Sequence, residues 1–374
     1  MPDSDIAIVG YAQSPIAATS ASEVQLLLPV VRDALAMAGL GYGEVGFTCS
    51  GSCDYLTGGP FAFLFNLEAV RAWPPIEESH LEMDGAWALY EAWIRLQGGD
   101  IDTALVMGSG KSSSSRPADV WTLQGDPYYL APLGVDPLSL AGLQARALID
   151  AGKATERDFA EVAVRSRRNA ASNPHIGAHV GPHVGAHVGP HLGAAGELSV
   201  AAALGSEYVR APLRAHDLAP FSDGAAAVVL ARGDRARSLC ERPVWIRGID
   251  HRIEPHLPGF RDITSSASTS LAARQAGYHG GPVDVAELCA VSSPQELILR
   301  AALGLPADTL VNPSGGPLAG NPVIATGLIR IIEAASRIMN GSADRALAHA
   351  AGGQLLQQNL VCLLEGELWP NGVP

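Results

Sequence analysis

The chain has 374 residues, of which 47% are hydrophobic and 17% charged, and its formal net charge is −13. This composition is typical of a folded protein, and the length favours two domains or a duplicated unit. The acidic balance argues against nucleic acid as the main partner. The sequence contains no apolar run long enough to predict a membrane span and no pattern that predicts a signal peptide.

Cysteine usage predicts a reducing compartment. The five cysteines are Cys49, Cys53, Cys240, Cys289 and Cys362. Their number is odd and only Cys49 and Cys53 lie close together, so we expect free thiols and a cytoplasmic protein. A single Cys-x3-Cys pair is a weak zinc signal, and we predict no metal site.

Strands and helices alternate along the first part of the chain. Residues 5–10 (DIAIVG), 47–51 and 103–107 (TALVM) are short apolar runs that predict buried strands. Residues 23–39 and 83–96 carry apolar side chains at helical spacing, and glycines follow or end each run. This alternation predicts an α/β fold with a largely parallel sheet.

An internal repeat is the most informative feature. Residues 86–110 and 328–353 share a helix, a glycine turn and a strand at a constant offset of 242 residues (341 − 99), and Gly85 falls on Gly327 at the start of the helices. The matched pairs include Gly99 with Gly341, Asp102 with Asp344, Ala104 with Ala346 and Leu105 with Leu347. We interpret this as a duplication of an α/β half. Chance is the alternative, because Gly-x-x-Asp-x-Ala-Leu is a common route from helix to strand.

A polar segment, about residues 111–214, separates the repeats and is expected to be irregular. It contains histidines at a spacing of four: His175, His179, His183, His187 and His191. Glycine in every repeat and proline in every second one argue against a helix there. We favour a low-complexity loop over a metal-binding tract, since no nearby cysteine or carboxylate completes a site.

Two short motifs favour structural roles. MGSGKSS follows a strand, but a phosphate-binding P-loop needs glycine at position 105, which is Leu105. Lys111 is therefore expected at the surface or in a ligand-facing loop. In HDLAPFSDGAAAVVLA, we expect Asp223 and Gly224 to tighten a turn before a small-residue strand.

The stretch VNPSGGPLAGNPVIATGLIRI (311–331) places a glycine- and proline-rich loop ahead of an apolar helix, as in loops that approach a ligand. Together with SGS-x-DYLTGGPF, EMDGAWALYEA, GKSS, RSRRNAASNP, PFSDGAAAVVL, QELILRAALGL and LQQNLV, it resembles the thiolase superfamily. More narrowly, the chain is similar to sterol-carrier-protein-type thiolases and to the thiolase-like aldolases of steroid side-chain degradation.

The resemblance implies an α/β thiolase fold of duplicated βαβαβαββ halves in five layers. The halves would be residues 1–235 and 236–374. The first would include an inserted loop domain (about 111–214) with a His-rich insertion (175–193).

The resemblance also implies a site that has lost acyl-transfer chemistry. Glu82 stands where thiolases carry the nucleophilic cysteine, His349 where they carry the second cysteine, and Asn321 where they carry the histidine of Gly-His-Pro. Related aldolases carry tyrosine, histidine and cysteine at the positions of Cys289, Pro294 and Leu355, so this chain departs from them too.

Retro-aldol cleavage beside a thioester remains possible, because it needs a base, an enolate stabiliser and an acid but no covalent intermediate. The catalytic candidates are His349, Asn321, Cys289, Glu82 and Tyr55, and the substrate-binding candidates are Asp84, Ser314, Gly315, Gly316 and Gly353. Each has a structural alternative: Glu82 or Asp84 as a helix cap, Cys289 as a buried thiol and His349 as a backbone partner.

The implied function is a carbon–carbon lyase that cleaves a β-hydroxyacyl-CoA, with a steroid-like side chain, to a ketone and a shorter acyl-CoA such as propionyl-CoA. No cofactor is implied beyond the coenzyme A of the substrate. The implied partners are a small OB-fold acyl-CoA-binding protein and a second copy of this chain, in a heterotetramer. The alternatives are a catalytically silent subunit and an acetyl-CoA C-acyltransferase.

Overall fold

The computed structural model describes residues 5–176 and 198–367. The first half contains β1 (Ile6–Gln13), α1 (Glu23–Met37), β2 (Phe47–Gly51), α2 (Asp54–Thr57), α3 (Phe63–Val70), β3 (Glu78–Leu81), α4 (Gly85–Gln97) and β4 (Thr103–Lys111). An inserted segment follows with α5 (Pro117–Leu123), α6 (Pro137–Asp150), α7 (Glu156–Ala170), α8 (Val200–Leu204), β5 (Tyr208–Arg210) and β6 (Leu213–Arg214). Strand β7 (Asp223–Arg232) closes the half.

The second half repeats this order. After α9 (Gly233–Leu239) come β8 (Val244–Ile253), α10 (Ala267–Gln275), β9 (Val285–Leu288), α11 (Ser293–Leu303), β10 (Leu310–Val311), α12 (Thr326–Met339), β11 (Arg345–Gly352) and β12 (Gln358–Glu365). Apart from the insertion and the short helices α2 and α9, each half follows the pattern βαβαβαββ. The predicted duplication is therefore confirmed.

The sheet shows the same symmetry. Its order is β10-β9-β11-β12-β8-β1-β7-β4-β2-β3, so both halves run outward from their first strand in matching order. Three strands of each half are parallel, and the last strand lies antiparallel between them and the first. Within the described part of the sheet, the two halves pair at two positions, Ala7 with Trp245 and Ile8 with Val244.

Alternating side chains divide the interior into layers. On β1, Ile6 and Ile8 join the core around α4 and α12, whereas Ala7 and Val9 join the core under α1. On β12, Leu360 packs toward α4 and α12, whereas Val361 and Leu363 pack toward α10 and α11. Because successive strand residues point to opposite faces, helices cover both faces of each half, and α4 and α12 form the central layer of five.

The two glycines at the repeat turns adopt the same backbone conformation. Gly99 and Gly341 both have φ of +80°, a conformation that strongly favours glycine. A Cβ atom would lie 2.7 Å from Arg232 Nη1 at the first turn and 2.9 Å from Arg242 Nη1 at the second. Both turns therefore favour glycine for the same reason, their positive φ, since the arginine side chains could move aside at little cost.

One carboxylate joins the central helices. Asp84 is the N-cap of α4 and accepts a hydrogen bond from Ala86 N at 2.7 Å. The same side chain accepts from Gly327 N at 2.7 Å and from Leu328 N at 3.1 Å, in the first turn of α12. Asp84 thus satisfies free N–H groups of both helices at once.

The inserted segment is more regular than expected. Its two longest helices, α6 and α7, pack on α11, so the insertion of the first half covers an outer face of the second. Helix α7 begins with a capping box at Thr155 and Asp158 and buries Phe159, and these features offset its high charge. The prediction of an irregular segment was wrong at this point. The boundary at 235/236 stays a prediction.

The histidine tract falls almost entirely outside the described residues. His179, His183, His187 and His191 lie in the gap, and only His175 is described. The interpretation of this tract as a loop therefore stays a prediction.

We expect Gly327→Ala to destabilise the fold strongly. The new Cβ would lie 2.5 Å from Ala350 Cβ and 2.7 Å from Asp84 Oδ1, so it would displace both the strand contact and the shared cap. The free energy of unfolding should fall by about 2–4 kcal/mol in urea titrations. Gly43→Ala is the matched control, because no atom lies within 4 Å of a Cβ there. Equal stability of the two variants would contradict this account of the helix junction.

Candidate active site

A cavity of about 400 Å³ lies at the N-terminal ends of α4 and α12. The walls come from both halves and from the inserted segment, including the turn between β11 and β12. The side chains with relevant chemistry are Cys53, Glu82, Asp84, His256, Cys289 and Asn321. Of the ten predicted site residues, the structure brings five to this cavity: Glu82, Asp84, Cys289, Asn321 and Gly353.

Asp84 combines its capping role with a place in the cavity wall. Burial raises the pKa of its carboxyl group to about 7, although the N–H groups of Ala86, Gly327 and Leu328 favour the anion. Three donors leave part of the acceptor capacity of the carboxylate unused. A carboxyl group with this pKa can exchange a proton near neutral pH.

Asn321 is held rigidly beside Asp84. Its backbone N–H donates to Ser222 Oγ at 2.8 Å, and its Oδ1 accepts from the hydroxyl of Thr326 at 2.7 Å. Because Thr326 directly precedes Gly327, the amide of Asn321 and the carboxylate of Asp84 both hydrogen-bond to the first turn of α12. Among the described residues no acceptor is bonded to Asn321 Nδ2, so this donor is available to an oxygen in the cavity.

Both cysteines in the cavity wall are poor nucleophiles. Burial raises the pKa of Cys289 to about 12, and the charge of Asp84 adds to this effect. Burial also raises the pKa of Cys53 to about 11, and the nearby carboxylate of Glu82 contributes. The thiolate is the reactive form of cysteine, so neither side chain is ready to carry an acyl group at neutral pH.

Glu82 lies at the exposed side of the cavity. Its Oε1 accepts a hydrogen bond from Asp54 N at 2.6 Å, at the start of the short helix α2. The structure therefore supports the expected capping role for Glu82, while the side chain still faces the cavity.

A strained turn forms another wall. Leu355 and Leu356, with φ of 57° and 60°, adopt the left-handed conformation that leucine rarely takes. Arg261 donates to Gln354 O at 2.9 Å and to Leu355 O at 2.7 Å, and Asn359 donates to Leu356 O at 2.8 Å. Three successive carbonyl groups thus have a side-chain donor each, which holds the turn in place.

Two predicted catalytic residues lie away from the cavity wall. His349 is fully buried, burial lowers its pKa to about 4, and its Nε2 donates to Asn359 Oδ1 at 3.0 Å. His349 therefore reaches the site only through Asn359 and the carbonyl of Leu356. Tyr55 is 67% exposed and is not among the residues that line the cavity. These placements correct the expectation of direct contact with a substrate.

The NPSGG loop supports the site rather than lining it. Ser314 Oγ donates to Glu287 Oε2 at 2.7 Å, and Arg330 pairs with the same carboxylate at 2.6 Å in the protein interior. Gly315 and Gly316 are also buried and do not line the cavity. The predicted substrate contacts of these three residues are corrected: Ser314 binds Glu287, Gly315 O accepts from Ser166 Oγ, and Gly316 N donates to Ser314 Oγ.

Lys111 is not a surface residue. Its Nζ lies 2.8 Å from Asp223 Oδ2, and the lysine side chain is only 8% exposed. Asp223 also accepts from Ser113 N at 2.8 Å and Thr19 N at 3.0 Å. The pair fixes the adjacent ends of β4 and β7. Asp223 is therefore structural, but as the first residue of β7 and the partner of Lys111 rather than as the predicted turn residue.

Sequence reasoning missed His256, Arg261 and Trp121. His256 and Trp121 line the cavity from irregular or inserted segments that carry no motif. Arg261 acts through two backbone carbonyls more than ninety residues away, a contact that residue type and spacing do not encode.

Comparisons with known proteins show what this chain is similar to. No protein-family model matches it. It is 26% identical to an acetyl-CoA acetyltransferase of Methanothermobacter thermautotrophicus over 75% of this chain and 76% of that protein. It is 25% identical to the 17-hydroxy-3-oxo-4-pregnene-20-carboxyl-CoA lyase of Mycobacterium tuberculosis over 67% of this chain and 63% of that protein.

The solved structure of an Ltp2-ChsH2(DUF35) aldolase superposes with a TM-score of 0.77 at 21% identity, over 97% of this chain and 98% of that chain. The predicted thiolase fold and the resemblance to the thiolase superfamily are thus confirmed. No helix in the described parts of the chain is long and apolar enough to cross a membrane.

Arg261→Ala should loosen the turn between β11 and β12. Three of its nitrogen atoms donate to carbonyl groups, and the loss leaves Gln354 O and Leu355 O without these partners. We expect the free energy of unfolding to fall by about 2–4 kcal/mol and amide exchange of residues 353–357 to rise at least about tenfold. The exposed Arg274→Ala on α10 is the control. Unchanged amide exchange of residues 353–357 would contradict the role of Arg261 in holding this turn.

Proposed function

We propose that this chain of the thiolase superfamily is a carbon–carbon lyase that cleaves a β-hydroxyacyl-CoA by a retro-aldol reaction. One observation carries the proposal: a rigid amide donor and a carboxyl group of pKa about 7 meet in a cavity whose two cysteines are held as thiols. This combination suits proton transfer and enolate stabilisation, and it suits covalent acyl transfer poorly.

The proposed cleavage needs no reactant besides the substrate, because Asp84 takes up one proton and later returns it. The Asp84 carboxylate accepts the proton of the β-hydroxyl group, the α–β carbon bond breaks, and a ketone forms. The electron pair moves into the thioester carbonyl, and Asn321 Nδ2 donates to the enolate oxygen. Asp84 then returns its proton to the α-carbon, which gives the shorter acyl-CoA without an external proton.

The proposed substrate carries a bulky ring system, as in a steroid side chain, and propionyl-CoA is the proposed acyl product. The lyase from Mycobacterium tuberculosis named above is a sequence relative, and its name describes a steroid acyl-CoA. The cavity supports a bulky apolar group, because Trp87, Trp121 and Phe221 are among its lining side chains.

We also propose a cytoplasmic assembly of two copies of this chain with a small OB-fold acyl-CoA-binding protein. The solved aldolase contains a second protein, ChsH2. In this chain, the segment after α5 carries three exposed apolar side chains: Tyr128, Tyr129 and Leu133, which are 81%, 69% and 75% exposed. Helix α5 itself contributes residues to the cavity wall. Such an apolar surface favours a protein partner. All five cysteines are free, which fits a reducing compartment.

The acetyltransferase relative makes acyl transfer the second candidate. It would require a thiolate at Cys53 or Cys289, and burial opposes that form at both positions. A silent subunit is the third possibility, and it predicts no turnover in any complex.

Turnover of a steroid-type β-hydroxyacyl-CoA, with the OB-fold partner present and absent, tests the proposal directly. We expect release of the ketone together with the shorter acyl-CoA. Asn321→Ala should lower kcat by about 10²–10³, because the enolate loses a donor, with a much smaller effect on substrate affinity. Asn340→Ala, at the other end of α12, is the matched control. Absence of ketone from the assembled complex would refute lyase activity.

The rate should depend on the ionisation of Asp84. Its pKa is raised to about 7, and only the carboxylate accepts the hydroxyl proton, so kcat should rise with pH through about 7 and then level off. Asp84→Asn should lower kcat at least about a hundredfold while keeping a side chain that can cap a helix. In the Asn321→Ala variant, the plot of kcat against pH should still show its inflection near pH 7. A flat profile between pH 6 and 8 would exclude Asp84 as the base.

A further inference from the structure

The cavity wall carries two carboxylates and no lysine or arginine. Glu82 and Asp84 line it, and neither lysine nor arginine is found among the described lining residues. Two other buried carboxylates face cations directly, as Glu287 faces Arg330 at 2.6 Å and Asp223 faces Lys111 at 2.8 Å. The carboxylates of the cavity have no such direct partner among the described residues.

The two carboxylates differ in how their charge is balanced. Asp84 accepts three N–H groups at the positive ends of two helices, and Arg330 also favours its anionic form. Glu82 accepts one backbone N–H, from Asp54, and forms no ion pair with the described residues. Its charge is the one that an incoming group would meet at the open side of the cavity.

The remaining wall favours flat, apolar groups. Trp121 and Phe221 stack with their ring centroids 5.1 Å apart and their planes 24° apart, and both line the cavity together with Trp87. Aromatic faces bind apolar rings well but offer no donor that would neutralise a carboxylate. A free carboxylate on the acyl group would lose part of its hydration and meet no lysine or arginine among the described lining residues.

We infer that the cavity selects acyl groups without a free carboxylate and that Glu82 is the residue that rejects acidic ones. This inference rests on the proposed acyl-CoA substrate and adds the charge class of its acyl part. Two like charges about 6 Å apart in a partly shielded site weaken binding by about tenfold to a hundredfold. Glu82 thus acts on specificity, whereas Asp84 and Asn321 act on the reaction.

A matched pair of thioesters tests the inference by binding alone. Adipoyl-CoA and 6-oxoheptanoyl-CoA have the same number of non-hydrogen atoms and differ only in a terminal carboxylate oxygen or methyl group. Neither carries the β-hydroxyl group that cleavage needs. In calorimetric titrations of the full chain, we expect the uncharged thioester to bind at least tenfold more tightly. Glu82→Gln should reduce this ratio to below about threefold, mainly by tightening the binding of adipoyl-CoA.

Glu241→Gln removes an exposed carboxylate far from the lining and should leave the ratio unchanged. Equal affinities in the unaltered chain, failure of the uncharged thioester to bind, or the same ratio in Glu82→Gln would each overturn the inference. The turnover assay is independent of this outcome. Charge selection without ketone release would refute the lyase proposal alone, and ketone release without charge selection would refute only the role of Glu82.

Discussion

The hydrogen bonds of one buried carboxylate, Asp84, hold the two halves of this protein in their working arrangement. Within its described part, the sheet joins the halves at two positions, so the central helices provide much of the remaining contact. Asp84 caps α4 and reaches the first turn of α12 at the same time. The junction leaves no room for a side chain at Gly327, which explains why the repeated motif keeps glycine there.

The same interaction decides what chemistry the cavity supports. Two helix N-termini converge there, a position that favours negative charge. Asp84 supplies that charge from within the protein, and burial raises its pKa into the range where proton transfer is useful. Its charge also raises the pKa of Cys289. Proton transfer is therefore favoured over covalent catalysis by a single electrostatic arrangement.

The sequence predicted the architecture well because the duplication leaves a regular trace, seen in Gly99 and Gly341. It placed Asp84 and Asn321 in one site through motifs at helix starts. It failed for His349, because a residue's position in a strand does not reveal whether its side chain binds a substrate or a neighbour such as Asn359. The hydrogen bonds of Arg261 could not be predicted either, because only the tertiary fold brings its side chain close to the carbonyl groups of Gln354 and Leu355.

The position of the inserted segment has a consequence for how the chain acquires its structure. Strand β7 pairs with β4 across the whole insertion, from Lys111 to Asp223, and the insertion packs on α11 of the other half. The first half therefore cannot close its sheet until distant chain segments have met, which makes assembly slow and cooperative. The halves are repeats in architecture, and both line the cavity, so its wall is complete only when both are in place.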